Sequence, residues 1–276
     1  MKITRFIENN GSKIAVYETG TAADFYILFL HGNSESAAIF KNQFNSALKD
    51  SFHLIAIDLP GHGKSSFAQE TPEEIYNMPF IVRSIANIIA EIQKPLIVAG
   101  TSFGGHIAIE LFETQSQYIK GLFIDGTPPL SSSADFGNAF LPNPASACFF
   151  KEEISEKELK QLSAACIHNP DNFSFFEELI KTADPFFRSH IFKSLLKNEI
   201  LDEKSITETY PIQIAALIGE HDKIINLNYI KNIAFANLWR SEIQIIPDAA
   251  HLPCFENPIQ YNYLLTQFVN EVCREK

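Results

Sequence analysis

Apolar positions along the chain change their spacing in a regular order. Residues 2–8 and 13–17 alternate apolar with polar around Asn9-Asn10-Gly11, the pattern of an opening hairpin. Phe25 to Leu30 and Phe52 to Ile57 are continuous apolar runs, which suit central strands covered on both faces. Between them, Ala37 to Leu48 reads as helix. Ser84 to Ile92 places Ile85, Ile88, Ile89 and Ile92 on one helical face and leads into a strand at Pro95 to Ala99. Further strands follow at Gly121 to Asp125, Ile212 to Ile218 and Ile243 to Ile246. Asn257 and Pro258 open a closing helix as N-cap and first helical residue, with Ile259, Leu264, Phe268 and Val272 expected to pack inward. Helices alternating with apolar strands predict an α/β fold with a mostly parallel eight-stranded sheet and helices on both faces.

That alternation lapses between residues 128 and 210. Pro128-Pro129, Ser131-Ser132-Ser133 and Pro142 to Ala147 read as irregular chain, and Ser155-x-x-Glu158 forms a capping box ahead of Leu159 and Leu162. Two more helices are expected, near Asp171 and at Asp184-Pro185. Helices without intervening strands predict an inserted helical cap over the C-terminal edge of the sheet, residues 128–210, on a core domain of residues 1–127 and 211–276. The cap carries Phe136, Phe140, Phe149, Phe150, Phe173, Phe175, Phe176, Phe186, Phe187 and Phe192. Most should pack the helical layer and some should line an apolar pocket.

A net charge of −11 argues against nucleic acid and against an anionic membrane surface as partners. Met1 to Asn10 has no apolar signal-peptide region, and no apolar run reaches membrane-spanning length, which makes a cytoplasmic protein the expectation. Cys148, Cys166, Cys254 and Cys273 are scattered without metal-ligand spacing and are expected to be buried free thiols. No cofactor and no metal are expected.

Gly100-Thr101-Ser102-Phe103-Gly104-Gly105 lies between the strand ending at Ala99 and an apolar helix through Phe112. Strand, sharp turn and helix around G-x-S-x-G form a nucleophile elbow, with Ser102 at the exposed tip and the Phe103 N–H facing a developing oxyanion. A serine hydroxyl needs a base, and the base needs an acid that orients it. His251, in the loop Asp248 to Pro253 after the last strand, has the right position and chain order. The other histidines do not: His106 lies inside the elbow helix, His221 beside the candidate acid, His168 and His190 in the cap, His62 in a Pro/Gly turn and His53 at a strand start. Asp222 in Gly219-Glu220-His221-Asp222 is the candidate acid, with Glu220 as near competitor and Asp125, at the end of the strand after the elbow, as a third possibility. The loop His31-Gly32-Asn33-Ser34 supplies the second oxyanion donor, assigned to the Asn33 N–H. The Asn33 amide could also point into the pocket or cap its own turn, and His31 is expected to hold the loop rather than transfer protons.

With its HG loop, D-x-P-G-H-G-x-S turn, G-x-S-x-G-G elbow, G-x-x-D acid strand and closing histidine, the chain resembles the α/β-hydrolase superfamily. It is most similar to metal-independent N-acyl-homoserine lactone hydrolases of the AidH type, through His31-Gly32-Asn33-Ser34, Leu59 to Ser65, Gly104-Gly105-His106-Ile107, Asp125 to Pro129, Asn237-Leu238-Trp239 and Ala250-His251. The resemblance implies serine-dependent opening of a homoserine lactone beneath a helical cap. It also implies a cap tyrosine at the lactone, yet no tyrosine occurs between Tyr118 and Tyr210. The reading is therefore a serine hydrolase acting on a small apolar ester or lactone through an acyl-enzyme. A general carboxylesterase, a C–C bond hydrolase, a thioesterase or an acyltransferase on the same triad stays open, as does a ligand-binding receptor on this scaffold. Lys151, Lys157 and Arg188 are the cations that could serve the C–C reaction, and they are expected on the outer face. Oligomeric state is not readable from the residues.

Overall fold

The apolar runs become strands: β1 (Arg5–Asn9), β2 (Ser12–Glu18), β3 (Tyr26–Leu30), β4 (His53–Ile57), β5 (Leu96–Thr101), β6 (Ile119–Asp125), β7 (Gln213–Gly219) and β8 (Gln244–Ile246). The computed structural model describes residues 1–9, 11–68 and 70–274, so Asn10 of the expected hairpin turn and the Cys273 side chain lie outside the described residues. The strands form one eight-stranded sheet in the order β1-β2-β4-β3-β5-β6-β7-β8. β1 and β2 pair antiparallel, as do β2 and β4, and the other pairs are parallel.

Because successive side chains leave a strand on opposite faces, each central strand feeds two cores. Ile27, Phe29, Ile97 and Ala99 join one apolar cluster, with Phe268 of the closing helix, while Leu28, Leu30, Leu96 and Val98 join the other. The second is covered by α1 (Met78–Ile92) and α2 (Phe103–Gln115). α1 starts well before Ser84, because the Asn77 side chain accepts the Phe80 N–H at 2.9 Å and Pro79 fits the first turn.

Ala37 to Leu48 is not one helix. It breaks into single turns at Ala37–Phe40, Lys41–Phe44 and Leu48–Ser51. The Ser46 hydroxyl donates to the Gln43 carbonyl at 2.7 Å and accepts the Leu48 N–H at 3.2 Å, which diverts the backbone from helical pairing.

Between β6 and β7 lie α3 (Glu156–Cys166), α4 (Phe173–Thr182), α5 (Pro185–Leu196) and α6 (Glu203–Thr209). The Ser155–Glu158 capping box is formed, and Asp184 caps α5 through the Phe186 N–H at 3.0 Å. α6 was not expected from the pattern; Asp202 starts it by accepting the Ser205 N–H at 2.9 Å. Short helical turns at Ser133–Asp135, Phe136–Ala139 and Pro144–Phe150 occupy stretches that read as irregular. In the closing helix α7 (Pro258–Arg274) the Asn257 cap is present, but Ile259 is 84% exposed. The buried stripe is Tyr261, Leu264, Leu265, Phe268 and Val269, and Ile259 falls outside its spacing.

Candidate active site

β5 ends and α2 begins around Ser102, whose backbone sits at φ 51° and ψ −117°. This is a strained conformation for a non-glycine residue and costs about 1–3 kcal/mol. The strain persists because the surroundings leave no alternative: the Ser102 N–H donates to the Asp125 carbonyl at 2.8 Å, and the backbones pack to contact. A Cβ at Gly100 would lie 2.4 Å from the Gly104 carbonyl oxygen, and one at Gly104 would lie 2.1 Å from that of Leu30. Glycine at both positions is what lets α2 leave the sheet edge so close to β3 and β5.

His251 Nε2 is 3.0 Å from Ser102 Oγ, and its Nδ1 is 2.9 Å from Asp222 Oδ2. A carboxylate only accepts, so Nδ1 carries the hydrogen and Nε2 keeps a lone pair that faces the Ser102 hydroxyl. Asp222 is held in turn by the N–H groups of Ile224 at 2.7 Å and Ile225 at 3.1 Å on Oδ1. Burial pushes the His251 imidazole down, but the Asp222 charge and hydrogen bond, with Glu35 and Asp125 behind them, outweigh it and leave its pKa raised. Glu220 is exposed and lies 3.8 Å from His221. Asp125 is fully buried and accepts the Thr101 hydroxyl at 3.0 Å; burial raises its carboxyl to about 8. Neither is hydrogen-bonded to His251.

The Phe103 N–H, first in α2, has no intrahelical acceptor, and Asn33 and Phe103 both line the cavity with Ser102 and His251. The Asn33 amide nitrogen donates to the Phe149 carbonyl at 3.0 Å, and its oxygen accepts the Ser34 hydroxyl at 2.9 Å. Its side chain thus joins the loop to the inserted segment rather than only capping its own turn. His31 and His62 hold the same loop. His31 Nδ1–H donates to the Gly32 carbonyl at 2.8 Å and its Nε2 accepts the Leu59 N–H at 2.9 Å, while His62 Nε2 accepts the Ser34 N–H at 3.1 Å. Burial lowers the pKa of both rings. Glu35, buried under the loop, accepts the Gly32 N–H at 2.8 Å, and burial raises its carboxyl to about 7.

Above Ser102 is a cavity of about 370 Å3. Phe136, Phe140, Phe149 and Phe150 line it, as does Ile191 of α5. Other inserted aromatics do different work: Phe187 packs edge-on to His62 at 4.3 Å, Phe175 stacks on Phe255 at 4.7 Å, and Phe186 is exposed. Arg188, expected outside, is 4% exposed, and its guanidinium donates to the carbonyls of Lys151 and Glu152 and to Ser34 Oγ. Lys151 pairs with Glu158. Neither cation lines the cavity.

Two groupings were not legible in the chain. His106 and Glu203 meet in the cavity wall, brought together from α2 and α6. His168, His221 and Asp248, all exposed, have potential ligand atoms within 4.8 Å of one another, but the two rings stack at 4.0 Å and 15°. Stacked rings aim their nitrogen lone pairs side by side rather than at one point. Cys148, Cys166 and Cys254 are buried free thiols. No helix among the described residues is long and apolar enough to cross a membrane.

The alpha/beta hydrolase fold family matches residues 26–258. The chain belongs to that family. This α/β-hydrolase is similar to the AB hydrolase superfamily protein YisY of Bacillus subtilis, at 25% identity over 262 residues that cover 88% of this chain and 91% of YisY. Among solved structures, it is similar to N-acyl homoserine lactonase AidH complexed with N-butanoyl homoserine, at 27% identity and a TM-score of 0.89, covering 99% of this chain and 98% of the other. A serine-to-glycine mutant of AidH complexed with N-hexanoyl homoserine lactone matches at 26% identity and a TM-score of 0.90, with 99% of each chain covered. Family and fold make this chain an α/β-hydrolase-fold enzyme, consistent with hydrolysis of a small apolar ester or lactone.

Proposed function

We propose that this α/β-hydrolase opens small acylated lactones, N-acyl-homoserine lactones being the leading class, through an acyl-enzyme on Ser102. The observation that carries the reading is the unbroken hydrogen-bonded series Ser102–His251–Asp222, at 3.0 and 2.9 Å, on the floor of an apolar cavity. Ser102 Oγ attacks the lactone carbonyl carbon as His251 Nε2 takes its proton, and Asp222 stabilises the imidazolium. The oxyanion is held by the N–H groups of Asn33 and Phe103. The ring C–O bond then breaks, and the departing oxygen takes the proton from Nε2. A water, deprotonated by the same nitrogen, attacks the acyl-enzyme and releases the open hydroxy acid and Ser102. The acyl chain lies among Phe136, Phe140, Phe149 and Phe150. In this reading residues 128–210 act as a cap domain on a core of residues 1–127 and 211–276. A C–C hydrolase is less well supported, because Lys151 and Arg188 are engaged elsewhere and no lysine or arginine lines the cavity among the described residues.

The test compares N-acyl-homoserine lactones of increasing chain length with aryl esters of matched acyl length, correcting for spontaneous hydrolysis. Lactone kcat/KM above that of the esters, rising until the cavity fills, is the expected result. Ester cleavage without enzyme-dependent lactone opening would leave a general carboxylesterase. A fluorophosphonate should add once to the wild type and not to Ser102→Ala. Asp222→Asn should lose turnover on the order of 10⁴-fold, and a folded Asp222→Asn protein with normal turnover would remove the assignment.

A further inference from the structure

A second imidazole–carboxylate pair stands in the cavity wall, outside the Ser102–His251–Asp222 series. His106 follows Ser102 by one helical turn, which puts it on the same side of α2 as the nucleophile. Its Nδ1 lies 2.8 and 3.0 Å from the two oxygens of Glu203, whose side chain is 1% exposed. Glu203 is fixed independently, its Oε2 accepting the Leu130 N–H at 2.9 Å and its own N–H donating to the Leu130 carbonyl at 2.8 Å. A carboxylate has no hydrogen to give, so in the neutral imidazole Nδ1 carries the hydrogen and Nε2 is left as an acceptor.

His106 Nε2 has no hydrogen-bond partner among the described residues, while both members of the pair line the cavity. The neighbouring amides are already committed, Asn33 to Phe149 and Ser34, and Asn143 to Lys223 and Ala145. A mostly buried imidazole with one nitrogen satisfied by the protein and the other open to a cavity is completed by a ligand that brings a donor. One helical turn after Ser102 and in the wall of the same cavity, the ring is placed to meet such a donor near the scissile carbonyl.

We infer that His106 Nε2 is a recognition subsite for the N–H of an acylamino group adjacent to the scissile carbonyl, with Glu203 as the positioning residue that keeps Nε2 an acceptor. The inference rests on the proposed attack at Ser102, but not on the scissile bond being part of a lactone. An N-acylated amino lactone carries one such N–H, and so does a linear ester of an N-acyl amino acid. An analogue without the donor leaves the buried lone pair unpaired, a difference of about 10- to 100-fold in kcat/KM.

The experiment uses three 4-nitrophenyl esters of matched length: N-hexanoylglycinate, N-hexanoylsarcosinate, which keeps the amide carbonyl but has no N–H, and nonanoate. Wild type should prefer the glycinate over both others by about tenfold or more, after correction for spontaneous hydrolysis. In His106→Leu that ratio should fall at least severalfold. In Glu203→Leu the Nδ1 hydrogen loses its acceptor and the tautomer is no longer fixed, so the preference should fall there also. Each readout is a ratio between substrates on one protein, so a smaller folded fraction cancels. A wild type that does not discriminate, or a His106→Leu protein that keeps the wild-type ratio, would overturn the subsite while the hydrolase reading stands. Discrimination among esters with no opening of homoserine lactones would support the subsite and remove the lactone assignment. No turnover of any of these esters would overturn the subsite, and the hydrolase reading falls with it only if homoserine lactones are not opened either.

Discussion

His251 stands in more negative charge than its own partner supplies. Asp222 is hydrogen-bonded to it, and Glu35, whose carboxyl is raised to about 7, adds to its raised pKa through charge alone as it loses its proton. On the proposed mechanism His251 works as base only when neutral, so activity should be lost as pH falls through its value, and raising that value moves the acidic limb of the kcat/KM profile above the ordinary imidazole range near 6.5. Glu35→Gln removes one of the charges responsible and should move this limb to lower pH, provided the Gln amide still receives the Gly32 N–H. A steady-state pH profile of the two proteins checks it, and an unmoved limb would deny Glu35 any influence on the base. At this scale Ser102, His251 and Asp222 were readable because each occupies a fixed place after a strand. Glu35 was not, since nothing in Ser34-Glu35-Ser36 distinguishes a buried acid from a solvated one.

At the scale of elements, the inserted helices are tied to the sheet by a few buried polar links. The Tyr76 hydroxyl donates to Asp184 Oδ2 at 2.6 Å and accepts the Ala68 N–H at 2.8 Å, while the Asp184 N–H donates to the Gly61 carbonyl at 2.7 Å. One tyrosine thus joins the N-cap of α5 to the turn after β4. Tyr76→Phe should leave a buried carboxylate oxygen and a buried N–H without this partner, a loss of about 1–3 kcal/mol read from urea unfolding. An unchanged midpoint would mean that water replaces the hydroxyl. Of these elements, α5 was legible from Asp184-Pro185 and α3 from its capping box. The expected helix at Ala37 to Leu48 broke into turns because Ser46 competes for the backbone, and α6 went unseen because its seven residues are too few to show a period.

At the scale of the whole molecule, three buried carboxyls among the described residues are raised by burial: Glu35 to about 7, Glu110 to about 8 and Asp125 to about 8. In the unfolded chain they ionise near pH 4, so between that pH and their folded values the native state holds more protons and stability falls as pH rises. Their stabilising share is complete below about pH 4 and lost once pH passes 7 to 8. Asp125→Asn removes one share. The variant should gain on wild type between pH 5 and 8 by a few kcal/mol in order of magnitude, with a flatter profile of melting temperature against pH. A parallel profile would mean that Asp125 ionises in the native protein at neutral pH.

Read alone, the chain determined whatever depends on local spacing. Continuous apolar runs specify buried parallel strands, a glycine on each side of Ser102 specifies the elbow, and Asp222 and His251 follow their strands in the one order that brings them to Ser102. Only the tertiary structure decided which side chains of the inserted segment reach the cavity and which distant groups become partners. Ten phenylalanines look alike in sequence, yet packing turns Phe149 and Phe150 to the cavity, Phe187 to His62 and Phe186 to solvent. His106 and Glu203 stand 97 positions apart and carry no shared motif. Their pairing exists because α2 and α6 pack against each other, and burial there makes an unpartnered carboxylate or imidazole too costly to leave alone.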